Sequence, residues 1–154
     1  MNQKQEKGIK GEIEATKYLK RHGYKIICKN FRCMKGEIDI IAYNKENIIF
    51  VEVKTRTSTK YGEVSEAIDR DKQKHIYEAA RYFMYVNRIE ETYARIDAIE
   101  VYLQNRKSEN QPYRANYVIY TVKTFDFWNK NEYNKFNKHC NPLKKQRNHF
   151  NPIV

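Results

Sequence analysis

Two β-branched runs, residues 36–43 (Gly-Glu-Ile-Asp-Ile-Ile-Ala-Tyr) and 48–55 (Ile-Ile-Phe-Val-Glu-Val-Lys-Thr), flank the polar link Asn44-Lys45-Glu46-Asn47. Runs of this kind on either side of a short turn predict an antiparallel hairpin. A strand alternates its faces, so Phe50, Glu52 and Lys54 point one way and Val51 and Val53 the other. With residues 44–47 as the loop, the numbers of facing residues sum to 91. Asp39 is then opposite Glu52, and Glu37 opposite Lys54. Directly opposed residues hold their Cβ atoms about 4.5–5.5 Å apart, so the hairpin sets two carboxylates side by side with a lysine next to them. A slip of one residue would throw them onto opposite faces.

Carboxylates left unpaired among valines and isoleucines repel one another and are costly to desolvate. A divalent cation removes the conflict. Mg²⁺ is a hard ion, often held by one or two carboxylates together with water and phosphate oxygens. So held, it can activate water and neutralise charge on a phosphodiester being cleaved. Lys54 could orient that water or meet the negative charge of the transition state. The alternative is a surface face on which Glu37–Lys54 and Glu52–Lys54 are ordinary ion pairs. Spacing alone leaves both open.

Around the hairpin, residues 3–22 predict a helix with Ile9, Ile13, Thr16 and Leu19 on one stripe. Arg21 and His22 fill its last turn, and Gly23 is placed for a left-handed C-terminal cap. Residues 24–31 predict a strand. Residues 65–86 predict a second helix, with Ser65 as N-cap and Ile68, Ile76, Ala79, Ala80 and Phe83 on its apolar face. Strands at 95–103 and 115–123 complete the order α-β-β-β-α-β-β, an α/β fold with a mixed sheet flanked by helices. No repeat or linker divides residues 1–127, and one domain is the expectation for a chain of 154 residues. From Trp128 the character changes. Residues 128–154 hold seven Asn and six Lys or Arg against one Glu, with little periodicity. They read either as a basic, mobile tail or as a disordered extension without function.

Thirty Lys and Arg against nineteen Asp and Glu give a net charge of +11, which suggests a polyanionic partner. The same chain carries 20 Lys, 16 Ile, 15 Asn and 13 Tyr. Their codons are A/T-rich, so base composition alone can supply lysine, and the charge supports a nucleic-acid partner without establishing one. No apolar run approaches the roughly 18 residues of a membrane span. Lys4, Lys7 and Lys10 are followed by no apolar stretch, which speaks against a secretory signal. Three cysteines argue against a disulfide scaffold and fit a reducing cytoplasm. Cys28 and Cys33 have no second Cys/His pair at zinc spacing, since His139-Cys140 lies in the tail. There is no phosphate-binding Gly-rich loop and no Gly-x-Ser-x-Gly elbow. Tyr77, Tyr82, Tyr85, Tyr113, Tyr117 and Tyr120 are placed for packing, though a few could stack on bases near a basic groove.

Asp39 followed by Glu52-x-Lys54 resembles the catalytic signature of the PD-(D/E)xK nuclease superfamily, which has the restriction-endonuclease-like fold. More narrowly, the chain resembles the YraN-type family of uncharacterised, nuclease-like bacterial proteins. The matching residues are Gly8, Gly11-Glu12, Ala15 and Leu19; Gly23-Tyr24, Asn30-Phe31-Arg32-Cys33 and Gly36-Glu37-Ile38-Asp39; and Phe50-Val51-Glu52-Val53-Lys54-Thr55-Arg56, Lys72-Gln73 and Arg95-Ile96-Asp97. They span about residues 8–122 in the expected order, and the tail has no counterpart. The proline that opens the superfamily signature is absent, because Ile38 precedes Asp39.

The resemblance implies that Asp39 and Glu52 bind Mg²⁺ (or Mn²⁺) and that Lys54 assists the water. It points as well to Glu12, since a glutamate on the first helix completes the metal site in related resolvase-like nucleases. The alternative for Glu12 is a bond to a nearby arginine such as Arg32 or Arg56. Gln73 matches a supporting polar residue of the superfamily, or else lies on a solvated helix edge. Lys35, Arg56, Lys60, Lys72, Lys74 and the tail are the candidates for phosphate contacts, which position a backbone without reading sequence. The expectation is a cytoplasmic, metal-dependent DNA endonuclease, with branched or single-stranded regions as the suggested substrate. It has no membrane partner, and a homodimer is compatible with the reading. The rival is a non-catalytic nucleic-acid-binding or adaptor protein that keeps the nuclease fold.

Overall fold

The link at residues 44–47 closes the hairpin in the register that its length dictates. Asn44 Oδ1 accepts the N–H groups of both Glu46 and Asn47 at 2.9 Å, a local side-chain turn that Asn forms readily. The Asn44 N–H donates to Asn47 O at 3.0 Å. The pairs that follow are Tyr43↔Ile48, Ala42↔Ile49, Ile41↔Phe50 and Ile40↔Val51, each summing to 91.

The computed structural model describes residues 2–56, 68–89, 92–105 and 113–126. In chain order these form α1 (Gln3–Arg21), β1 (Lys25–Cys33), β2 (Gly36–Tyr43), β3 (Asn47–Arg56), α2 (Arg70–Val86), β4 (Tyr93–Asn105) and β5 (Tyr113–Asp126). The expected order α-β-β-β-α-β-β is observed. The strands make one mixed sheet in the order β1-β2-β3-β4-β5. Only β3 and β4 run parallel, and α2 lies in the connection between them. Strand β1 runs two residues further than expected from the sequence, and β4 and β5 are longer at both ends.

Each helix covers one face of the sheet. Ile76, Ala79, Ala80, Phe83 and Met84 of α2 pack with Ile38, Ile41, Ile48, Phe50, Ile96 and Ala98. Ala15 and Leu19 of α1 pack with Ile40, Ala42, Ile49, Val51, Ile99 and Val101. Both β3 faces are therefore buried, as its near-continuous apolar run requires. The apolar face expected for α2 is the face observed. The helix starts later than expected, however. Asp69, not Ser65, is its N-cap, accepting the Lys72 N–H at 2.7 Å, and Ser65 lies outside the described residues.

Helix α1 requires a larger correction. Ile9 and Ile13 are 46% and 45% exposed, and the buried side is Gly11, Ala15 and Leu19. The reason is size. A Cβ at Gly11 would overlap the side chain of Thr55 on β3, so the helix lies too near the sheet for anything but small residues on that turn. The larger isoleucines face outward. At its other end the expected cap is present. Gly23 has φ +82°, its N–H donates to Lys20 O, and Tyr24 N–H donates to Leu19 O, the paired bonds of a Schellman cap.

Candidate active site

The hairpin ladder ends at Ile40↔Val51. At the next residue of β2, backbone pairing gives way to a side chain: Asp39 Oδ2 accepts the Val53 N–H at 2.7 Å. Alternation also breaks here. Ile38 packs on the α2 face and Ile40 on the α1 face, although they are two residues apart. Across the sheet, the β1–β2 register passes from Lys29↔Ile40 to Phe31↔Ile38. Asn30 lies between them with φ +52°. Asp39 and Glu52 thus meet at a fork between strands, and not as the ladder partners that spacing predicts.

Glu52 is only 4% exposed. Its Oε1 accepts Lys54 Nζ at 2.8 Å. Its Oε2 lies 3.3 Å from Lys72 Nζ but takes part in no aligned hydrogen bond. Burial pushes the Asp39 carboxyl up to about 6, helped by the negative charge of Glu52 and, to a lesser degree, Glu12. The Val53 N–H and Lys72 oppose that shift. Burial alone would lower the pKa of Lys72, yet the Glu52 and Glu37 carboxylates beside it raise it. Glu37 does not pair with Lys54. Its Oε1 is 3.3 Å from Lys72 Nζ and its Oε2 3.6 Å from Arg32 Nε.

Glu12 is half-buried on α1. It bonds neither of the arginines suggested by the sequence; its Oε2 accepts from Asn30 Nδ2 at 3.2 Å. Gln73 donates its amide to Ile68 O at 2.8 Å, tying down the segment that leads into α2. Lys35 and Lys74 are exposed. Arg56 donates through Nε and Nη2 to Glu100 Oε1, at 3.3 and 3.0 Å. The other oxygen of Glu100 accepts the Tyr102 hydroxyl at 2.7 Å. Lys60 and the tail at 128–154 lie outside the described residues. Three participants were not read from the sequence: Asn30, Glu100 and the bridging role of Lys72. Glu100 carries a visible signal, as an acid inside the otherwise apolar stretch 98–101, and Asn30 is among the residues that carry the family resemblance.

Among the described residues, no three His, Cys, Asp or Glu side chains stand close enough to form a metal-holding group. The paired carboxylates nevertheless fit a hard divalent cation by donor chemistry. Both supply oxygen, one has a buried oxygen without an aligned partner, and the other has its charged form disfavoured.

Residues 11–101 match the group described as uncharacterised protein family UPF0102. A UPF0102 protein of Caldicellulosiruptor saccharolyticus is 47% identical over 106 residues, covering 69% of this chain and 89% of that protein. The chain belongs to the UPF0102 family. UPF0102 proteins of Clostridium perfringens and Chlorobium phaeobacteroides are 41% and 43% identical, over 72% and 66% of this chain and 88% and 80% of theirs. The UPF0102 match contains Glu12, Asp39, Glu52, Lys54 and Gln73. It stops before β5, and the names of these relatives state no activity.

Proposed function

We propose that this UPF0102 protein is a divalent-metal-dependent endonuclease that hydrolyses phosphodiester bonds in DNA. The observation that supports it most is the fork itself, where a buried Glu52 and a charge-disfavoured Asp39 converge beside two lysines. Asp39 and Glu52 would hold Mg²⁺ or Mn²⁺; Glu12, which the family resemblance adds, would have to leave Asn30 and move toward them to join. The ion would supply charge neutralisation at the phosphate and acidification of a water. The Val53 N–H fixes how Asp39 is presented. Lys54, reaching Glu52 along the same strand face, is placed to orient the attacking water or to meet charge on the phosphate oxygens. Lys72 neutralises Glu52 and Glu37 from α2. Lys35, Arg56 and Lys74 would hold flanking phosphates. The DNA class suggested by the family resemblance is branched or partly single-stranded.

The test is cleavage of a panel of duplex, single-stranded, flapped and four-way-junction DNA with Mg²⁺ and with Mn²⁺. Metal-dependent cutting that disappears in Asp39→Asn is expected. A folded wild type that cuts nothing on the panel with either ion sinks the proposal. One observation favours the non-catalytic reading: Lys54 and Lys72 already neutralise Glu52 without any metal. A DNA-binding or adaptor protein would bind the panel with equal affinity whether or not divalent ions were present.

A further inference from the structure

We infer, resting on the metal-dependent reading, that Lys72 is a resident cation of the fork. In the ion-free chain its ammonium keeps the place beside Glu52 Oε2 that a divalent ion takes, and it withdraws onto Glu37 when that ion arrives. The starting point is the charge balance on Glu52. A carboxylate so deeply buried needs compensation at both oxygens. Oε1 has it in full, in an aligned hydrogen bond from Lys54 Nζ at 2.8 Å. Oε2 has proximity alone. Lys72 Nζ is 3.3 Å away, yet Oε2 accepts no aligned hydrogen bond. The hydrogen bond that Lys72 donates goes to Glu37 Oε1, also at 3.3 Å. Lys72 thus attracts Glu52 by charge while its donor points at Glu37.

Three features suit Lys72 to yielding. Its backbone is fixed, since its N–H donates to the Asp69 cap at 2.7 Å, so only the flexible four-carbon stem has to move. Its second partner is at hand. Glu37 is exposed, and a lysine held there alone exchanges a half-buried ion pair for a solvated one. Nor is its place owed to the helix. In the first turn of α2 a positive charge opposes the helix dipole, which favours acids there. The Glu52 and Glu37 carboxylates keep the ammonium in place against both burial and that dipole. A divalent ion on Oε2 would remove half of this attraction and repel the ammonium as well. Lys54 keeps its aligned bond to the opposite oxygen, so one lysine stays while the other leaves.

Calorimetry with Mn²⁺ alone, on wild type and Lys72→Met, tests the displacement without any turnover. Methionine keeps an apolar stem and removes the charge. The variant should melt below wild type in ion-free buffer and regain that loss on saturation with Mn²⁺. It should bind the ion about tenfold more tightly, the scale on which one adjacent charge shifts a carboxylate's hold on a proton. The gain should persist at about 0.5 M salt, which screens a distant charge but not a contact. Glu37→Gln should weaken Mn²⁺ binding about threefold and have no effect in the Lys72→Met background, because it acts through the lysine. In wild type, saturation with Mg²⁺ should shift the nitrogen NMR signal of the Lys72 ammonium, a readout that needs no variant to fold. Wild-type or weaker Mn²⁺ affinity in folded Lys72→Met, a gain lost in salt, additive effects of the two substitutions, or an unmoved Lys72 signal would each overturn the displacement and leave the metal reading standing. Uptake of Mn²⁺ by neither protein would overturn both.

Discussion

Asp39 is held in the folded chain against its own charge. Its carboxyl titrates at about 6, against 3.8 for an unperturbed one, so the folded chain binds this proton more tightly than the unfolded chain does. That stabilisation is complete below pH 4 or so and is lost as the pH rises through about 6. A gap of about two pH units corresponds to at most about 3 kcal/mol. Asn at position 39 keeps an acceptor for the Val53 N–H without the charge. In metal-free buffer, Asp39→Asn should melt with wild type near pH 4 and several degrees higher at pH 7.5. Scanning calorimetry at the two pH values checks this, and equal melting at both would show that the carboxylate is under no such pressure. The same variant should lose Mn²⁺ binding. Lys54 gives the second residue-scale outcome. Lys54→Ala should keep the fold and most DNA affinity, measured in Ca²⁺, while turnover in Mg²⁺ falls by about two to three orders of magnitude. A binding module has no turnover to lose and would show only a modest drop in affinity.

Elements are set by who can approach whom. Helix α1 reaches β3 through Gly11, so Gly11→Ala must push the helix away from Thr55 and carry Glu12 with it. The overpacking cost of about 1–3 kcal/mol exceeds the gain of about 1 kcal/mol from replacing a helical glycine. A lower melting temperature is expected, restored in part by adding Thr55→Ala, which removes the overlapped side chain. The far end of α2 offers the opposite case. Arg88 has φ +53° in a cap where its N–H donates to Tyr85 O and the Ile89 N–H donates to Met84 O. Glycine adopts this conformation without strain, so Arg88→Gly should stabilise by up to about 1 kcal/mol. Urea melts should show a higher midpoint with an unchanged slope. A lower midpoint would mean that the arginine side chain contributes more than its backbone costs.

On the scale of the whole molecule the open quantity is charge. Six of the thirty basic residues lie in the segment 128–154, against one acid, beyond the UPF0102 match. If that segment binds phosphates, its deletion should weaken DNA binding on every sequence. It should also flatten the slope of log affinity against log salt by about 0.9 for each phosphate that the shortened chain no longer neutralises. An unchanged slope would make the excess compositional, in keeping with the abundance of Lys, Ile, Asn and Tyr, residue types whose codons are A/T-rich. No helix among the described residues is long and apolar enough to cross a membrane.

Much of the fold was legible because it follows short periods and local chemistry. The loop length and Asn44 dictate the hairpin register. Ile76, Ala79, Ala80 and Phe83 recur at helical spacing, and Gly23 suits a left-handed cap. Asp39, Glu52 and Lys54 were found by strand alternation combined with family resemblance. What the tertiary structure decided lies where those periods fail. The kink at Asn30 and Asp39 puts Ile38 and Ile40 on opposite faces, so alternation stops predicting orientation at the candidate site itself. The buried side of α1 was decided by the room left beside Thr55, which favours small Gly11 and Ala15 over larger Ile9 and Ile13. Lys72 was placed between Glu37 and Glu52 by the docking of α2, and Asn30 beside Glu12 by that of α1. Backbone periodicity is a property of neighbouring residues, whereas packing volume and charge pairing depend on residues that only folding brings together.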